Sequence, residues 1–219
     1  MELTAEADET SDRRFAVLLL MVAGAIFVWS GWRPHDRFTW FLEVFPVLIV
    51  LPLLLFTWRR FRLTRLLYLL IAVHAVILMV GGKYTYARVP LGFWMESWFG
   101  FARNHYDRIG HLAQGFVPAI ACREVLVRVA RLRRDSWLSA IVVAFCLAIS
   151  ALYELLEWSV AVMTGEAAEA FLGTQGDVWD TQKDMLLAFI GALCALLLLS
   201  RLHDRYLRQV EARRAKSSG

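Results

Sequence analysis

Six stretches of the chain are apolar over lengths at or close to what a bilayer crossing needs: residues 15–32, 38–57, 66–82, 111–130, 137–163 and 185–202. A helix spans the hydrocarbon core with about 20 predominantly apolar residues. This succession therefore commits most of the chain to lipid and leaves no length for a second, soluble domain. The composition agrees, since 58% of the 219 residues are hydrophobic and 20% are charged, against roughly 45–50% and about 25% in an ordinary soluble domain. Disordered, collagen-like and disulfide-built chains are excluded on the same grounds. The expected fold is all-α, a polytopic transmembrane helix bundle of about six spans. Pro46, Pro52 and Pro118 fall inside spans, where they predict kinks and not ends, because neighbouring helices can re-satisfy the freed backbone groups.

Orientation follows from the basic residues. With the N-terminus inside, one side collects Arg13 and Arg14, the run Arg59, Arg60, Arg62, Arg65, the run Arg123, Arg128, Arg131, Arg133, Arg134, and the tail Arg201, Arg205, Arg208, Arg213, Arg214, Lys216. Only Arg33, Arg37, Lys83, Arg88, Arg103, Arg108 and Lys183 remain on the other side. The positive-inside rule then places both termini in the cytoplasm. The expected organisation is a cytoplasmic N-terminal segment over 1–14, a six-span domain over 15–203 and a basic cytoplasmic tail over 204–219. The first span contains Ala23-Gly24-Ala25, but its apolar run is long for a signal peptide and its leader, Glu2 to Asp12, is acidic, so it reads as a retained span.

Cys122, Cys146 and Cys194 lie in or at the ends of apolar spans with no metal-ligand spacing. They read as lipid-facing or packing residues. The net charge of +4 comes from arginines at the cytoplasmic ends of spans. These face anionic headgroups, and the chain is expected to meet membrane lipids and no nucleic acid.

Polar residues that a membrane makes expensive carry the functional reading, because an ionisable group at bilayer depth costs about 2.5–3.5 kcal/mol on insertion scales. Asp107 and His111 are spaced i, i+4 at the outer entrance of the fourth span, directly after Asn104 and His105. An aspartate so placed can orient an imidazole and fix its tautomer. The bland alternative is a helix-entry carboxylate beside an interfacial histidine. Glu154 and Glu157 are i, i+3 near the outer end of the fifth span. The two acids repel unless a proton, cation or arginine lies between them, and the alternative is that Glu157 snorkels beside Trp158. Asp177, Asp180 and Asp184 lie between Gly173 and the start of the sixth span, where part of their role is helix capping. Glu43 sits in the outer part of the second span and His74 near the middle of the third; the latter reads most simply as a neutral interhelical hydrogen-bonding group.

The topology puts Asp107, His111, Glu154, Glu157, Asp180 and Asp184 at one outer depth on three helices, although that coincidence played no part in setting it. The candidate catalytic residues are Asp107, His111, Glu154 and Glu157, and the candidate metal ligands are His111, Glu154, Asp180 and Asp184. These oxygen and nitrogen donors suit a divalent metal such as Mg, Mn or Zn. Without metal they could perform general acid and base catalysis. Neither a Gly-x-Ser-x-Gly nucleophile nor a nucleotide-binding loop is present.

Several segments together resemble the YjdF-like bacterial inner-membrane proteins. They are His74-x-x-x-Leu78-Met79-Val80-Gly81-Gly82-x-Tyr84-Thr85-Tyr86-Ala87, Arg103-Asn104-His105-Tyr106-Asp107-Arg108-x-Gly110-His111, Tyr153-Glu154-Leu155-x-Glu157-Trp158 and Gly173-Thr174-Gln175-Gly176-Asp177-x-Trp179-Asp180-Thr181-Gln182-x-Asp184. The resemblance covers spans two to six and implies a bacterial inner-membrane location and a multi-span fold more than an activity. The order Asp107, His111, Glu154, then Asp184 before Gly191 is also similar to the pattern of VanZ-like membrane proteins. It departs from that pattern with Arg108 in place of Lys and Glu157 in place of Gln. This second resemblance implies a shared scaffold near envelope lipids and no transferred resistance function.

Three functions fit these residues. One is an enzyme acting at the outer face on a lipid, lipid-linked or envelope substrate. Another is a non-catalytic scaffold or assembly factor whose polar cluster fastens helices. The third is a small proton- or cation-coupled transporter, against which stands the lack of a visible inverted repeat.

Overall fold

The computed structural model describes residues 2–164 and 174–217, and Gly173 of the outer loop lies outside them. Among the described residues there are seven helices and no strand. They are α1 (Glu2–Gly31), α2 (Arg37–Thr57), α3 (Arg65–Tyr84), α4 (Pro90–Phe99), α5 (Tyr106–Arg128), α6 (Ser136–Thr164) and α7 (Asp180–Ser217). Five of them, α1, α2, α3, α6 and α7, are long and apolar enough to cross a membrane. The remaining expected span, 111–130, lies largely within α5, whose Asp, Glu and Arg residues cluster at its two ends and leave His111 as the one titratable side chain besides Cys122 in 109–122. At 1.5 Å per residue α5 is about 34 Å long, sufficient for a hydrocarbon core of about 30 Å.

Over its most apolar stretch helix α5 is more polar than the other long helices, and three of them cover most of its surface. It packs against α3, α6 and, most extensively, α7, while α1 and α2 pack on α3. His111, Arg123 and Glu124 are all buried along it. The α5–α7 pair is close because its contact is lined by small residues. A Cβ on Gly115 would sit 1.8 Å from the Ala188 carbonyl oxygen, and one on Gly191 would sit 2.1 Å from that of Leu112. Ala119, Ala192 and Ala195 continue this contact into a core with Leu67, Ile120, Leu138, Val142 and Cys146. Burial there fits the packing role expected for Cys146, and all three cysteines are free.

Local signals set the helix ends. Asp36 caps α2 by accepting from the Thr39 N–H at 2.6 Å, and that backbone hydrogen bond holds its carboxyl below the usual aspartate range. Thr64 caps α3 and Asp135 caps α6 in the same way. Pro46, Pro52 and Pro118 lie inside α2 and α5 without ending either helix.

Ion pairs and hydrogen bonds report which helix ends share a side. Arg65 at the start of α3 binds Asp12 and Ser11 of α1, and Lys83 at its end binds the Trp29, Trp32 and Arg33 carbonyls at the end of α1. Arg134, between α5 and α6, binds Glu211 far along α7. Arg128 at the end of α5 donates to the Arg62 carbonyl just before α3, which joins these two groups and puts both ends of the described chain on the arginine-rich side.

That side holds a buried polar network. Glu124 accepts from the Thr64 N–H (3.0 Å) and hydroxyl (2.7 Å), pairs with His203 Nε2 at 3.0 Å, and also binds Arg128. Arg123 reaches His203 Nδ1 at 3.1 Å and Asp204 at 2.8 Å. Glu124 and His203 are both fully buried, and the network joins α3, α5 and α7. Helix α7 continues unbroken past His203 to Ser217.

Candidate functional site

The opposite ends of α5 and α7 carry the second polar cluster. Helix α5 begins at Tyr106, so Asp107 and His111 fall one turn apart on the face turned to α6 and α7. His111 Nε2 lies 3.3 Å from Asp107 Oδ1 and 3.8 Å from Asp184 Oδ2. Its other nitrogen, Nδ1, faces Glu154 Oε1 at 3.8 Å. Asp107, His111 and Asp184 each offer one ligand atom, all within 4.8 Å of one another. Among the described residues most buried charged groups are hydrogen-bonded, yet His111 Nδ1 and Glu154 Oε1 are enclosed without a hydrogen-bond partner.

Two arginines hold the aspartates in place. Arg108 donates from Nη1 to Asp184 Oδ1 and from Nη2 to Asp180 Oδ1 (2.7 Å) and Asp177 Oδ2 (3.2 Å). Arg103 binds Asp180 Oδ1 at 2.5 Å and the Thr174 carbonyl. Asp184 is thereby fixed through one oxygen and presents the other to His111. Asp180 is occupied by both guanidinium groups and stands apart from the Asp107, His111 and Asp184 group. In the loop, Lys183 and the Trp179 N–H hold the Asp177 carboxyl below the usual range. Burial lowers His105, with Arg103 and Arg108 acting in the same direction.

Two further elements close the cluster. Glu43 of α2 is buried beside Tyr86, within the electrostatic reach of Asp107 and His111. Tyr86 follows α3 with φ of +34°, after Thr85 at +58°, a left-handed turn that swings its ring between Gly81 and Gly110. A Cβ on Gly81 would lie 2.1 Å from that ring. On α6, Tyr153 and Glu157 stand in the field of Glu154, Glu43 and Asp107. Thr181 at the start of α7 lies near the Glu154 carboxyl group.

Of the residues singled out from sequence, the structure assembles Asp107, His111, Glu154 and Asp184 at contact range and brings Glu157 and Glu43 beside them. His74 stands elsewhere, half-buried, with an enclosed Nε2 that has no hydrogen-bond partner. Sequence reasoning treated Arg103 and Arg108 as exceptions to the positive-inside rule without assigning them partners. That exceptional placement was the available signal, since a cation left on the outer side beside three aspartates needs an ionic reason to be there. Tyr86, Tyr153 and Thr181 gave no separate signal.

Helix α4 rims the cluster. It is about 15 Å long, too short to cross, and it turns Phe93, Trp94, Trp98 and Phe99 outward. Its Gly92 packs on Asn104, which donates to the Val89 carbonyl and exchanges hydrogen bonds with Gln175 of the outer loop. Beyond the aspartates lies an open depression of about 360 Å³ lined by Thr174, Gly176, Asp177, Val178, Asp180 and Thr181.

Comparison with known proteins agrees with this architecture. The family model described as "Predicted membrane protein (DUF2238)" matches residues 15–205. Inner membrane protein YjdF of Escherichia coli (strain K12) is 53% identical over 184 residues, covering 84% of this chain and 88% of that protein. No solved structure matches. The match takes in the whole of α2 to α6 and every residue of the outer cluster, and the chain belongs to the DUF2238 family of predicted membrane proteins.

Proposed function

We propose that this multi-pass inner-membrane protein is an enzyme acting at the outer face of the membrane on a lipid or lipid-linked envelope substrate. The observation that carries the reading is the pair of buried, unpartnered polar atoms, His111 Nδ1 and Glu154 Oε1, inside a cluster whose neighbouring charges are paired. An unmade hydrogen bond at such a place costs about 1–3 kcal/mol. A structure keeps such a cost most readily where a reacting group must be met. Hydrolysis or group transfer needs one residue to accept a proton from the attacking oxygen and another to deliver one to the leaving group. His111 oriented by Asp107, with the Glu154 and Glu157 pair opposite, supplies both. The outward aromatic face of α4 supports a substrate drawn from the lipid, because Trp94 and Trp98 carry the amphipathic rings that favour the headgroup layer.

The test compares envelope lipids by mass spectrometry in cells with the wild-type chain, a deletion, and the His111→Ala and Glu154→Gln variants at matched membrane levels. The expected result is that both variants reproduce the deletion's lipid profile. Variant profiles that match wild type overturn the reading.

A second reading, a non-catalytic scaffold, is favoured by the Arg103 and Arg108 ion pairs that tie the start of α5 to the loop and start of α7. On that reading, the same substitutions lower the thermal midpoint of the purified protein and leave the lipids of cells that still contain it unchanged.

A further inference from the structure

We propose that Asp107, His111 and Asp184 bind a single divalent cation, and that Glu154 orients the imidazole without ligating the ion. The inference rests on the enzymatic reading for the use to which the ion is put and refines it in one respect: with the ion bound, Asp107 and His111 hold it instead of moving the proton, and the acid–base task falls to Glu157 on the facing helix.

The geometry assigns each nitrogen of His111 a different task. Nε2 lies between two carboxylate oxygens, Asp107 Oδ1 at 3.3 Å and Asp184 Oδ2 at 3.8 Å. Ligand atoms about 2.0–2.2 Å from one ion stand about 3–4 Å from each other, so both separations are already those of donors around an ion. Nδ1 points the other way, to Glu154 Oε1 at 3.8 Å, and neither atom has another hydrogen-bond partner. A metal-bound histidine commonly donates its second N–H to a carboxylate, which fixes the tautomer and the ring plane. Movement of a few tenths of an ångström or more brings Nδ1–H onto Glu154, and the two orphaned atoms then satisfy each other.

The charges fit as well. Both side chains of the His111 and Glu154 pair are 7% exposed, and that of Asp184 is 4% exposed. Arg108 takes Asp184 Oδ1 and leaves Oδ2 toward His111. Two aspartates and a neutral imidazole around a dication sum to zero, which suits an enclosed site. Two oxygens and one imidazole nitrogen favour Mn²⁺ or Zn²⁺ over the all-oxygen preference of Mg²⁺ and Ca²⁺. Asp180, already bound by Arg103 and Arg108, stays outside the set.

The test uses the full chain purified in mild detergent, stripped with chelator and titrated separately with Mn²⁺ and Zn²⁺, with monodisperse elution as the check on folding. The expected result is one ion per chain for at least one of the two metals. His111→Ala, Asp107→Asn and Asp184→Asn should each weaken binding more than Glu154→Gln. Glu154→Gln itself should weaken it by about 10–100-fold at unchanged stoichiometry. A wild-type measurement guards against variants that fail to fold: in the Mn²⁺ form, pulsed EPR should detect a directly coordinated imidazole nitrogen. If Zn²⁺ alone binds, X-ray absorption should find one nitrogen and otherwise oxygen neighbours. The proposal is overturned by a wild-type chain that binds neither metal stoichiometrically or whose bound metal lacks a histidine nitrogen. Unchanged affinity in folded Glu154→Gln overturns the role given to Glu154. Stoichiometric metal with unaltered lipids in the variants would sink the enzymatic reading alone. Altered lipids without metal would sink the cation site alone.

Discussion

At the scale of single residues, the two ends of the α5–α7 pair differ in how completely their polar atoms are satisfied. Glu124 accepts from Thr64, His203 and Arg128 and is fully buried, whereas the outer pair His111 and Glu154 leaves two atoms unpaired. The inner group reads as a clamp, and its removal should be felt in stability. Replacing Glu124 by Ala leaves His203 and Thr64 without their acceptor and should cost about 3–5 kcal/mol, seen as a lower thermal midpoint in detergent. The double change Glu124→Leu with Arg128→Leu should recover part of that loss, because removing both partners of the buried ion pair leaves neither charge without its counterpart. A double variant no more stable than Glu124→Ala would contradict this account. Sequence reading missed the clamp for a physical reason. Glu124 and His203 are 79 positions apart, and each taken alone is an ordinary polar residue at a span end. The outer acids and His111 were legible because each lay at bilayer depth, where polarity has to be explained. Arg103 and Arg108 could be counted in the sequence, but the assignment of long, flexible side chains to particular aspartates is made by tertiary packing.

At the scale of elements, α5 and α7 depend on small residues where they meet. Gly115 and Gly191 each face a backbone carbonyl of the other helix with no room for a Cβ. Gly115→Leu or Gly191→Leu should push the helices apart and pull Asp184 away from His111. The expected outcome is loss of monodisperse protein and, where protein survives, loss of metal. Gly24→Leu on α1 is the control, since nothing lies within 4 Å of its added Cβ, and it should be neutral. Normal yield and metal content for Gly191→Leu would show that the close approach is dispensable. The spans themselves were legible from apolar run length. Helix α4 was not singled out, because its ten residues are too few for a crossing and the sequence was read for long apolar runs. What defines it is the placement of Pro90 and Gly100 between two spans, together with the Gly92 contact to Asn104.

At the scale of the whole molecule, the distribution of arginines and the pairing of helix ends predict which surface faces which compartment. In a cysteine-free variant, Val178→Cys, in a loop position that is 85% exposed, should react with a membrane-impermeant maleimide in intact spheroplasts. Arg133→Cys, exposed between α5 and α6, should react only after permeabilisation. The reverse pattern would invert the molecule and place the outer cluster on the cytoplasmic side.

The low apolarity of α5 also bears on how the chain is made. Five helices qualify for insertion on length and hydropathy, and five crossings would leave the two ends on opposite sides, whereas Glu124 and Arg128 near the end of α5 bind Thr64 and the Arg62 carbonyl at the start of α3, so that the pairs Arg65 with Asp12 and Arg134 with Glu211 fall on one side. As α5 leaves the ribosome its charged ends have few partners, because Asp180, Asp184, His203 and Asp204 are still to be synthesised. Its stable entry into the bilayer is therefore a late event in biogenesis. Synthesis of α7 completes the site and also supplies the counter-charges that make the central crossing affordable to the membrane.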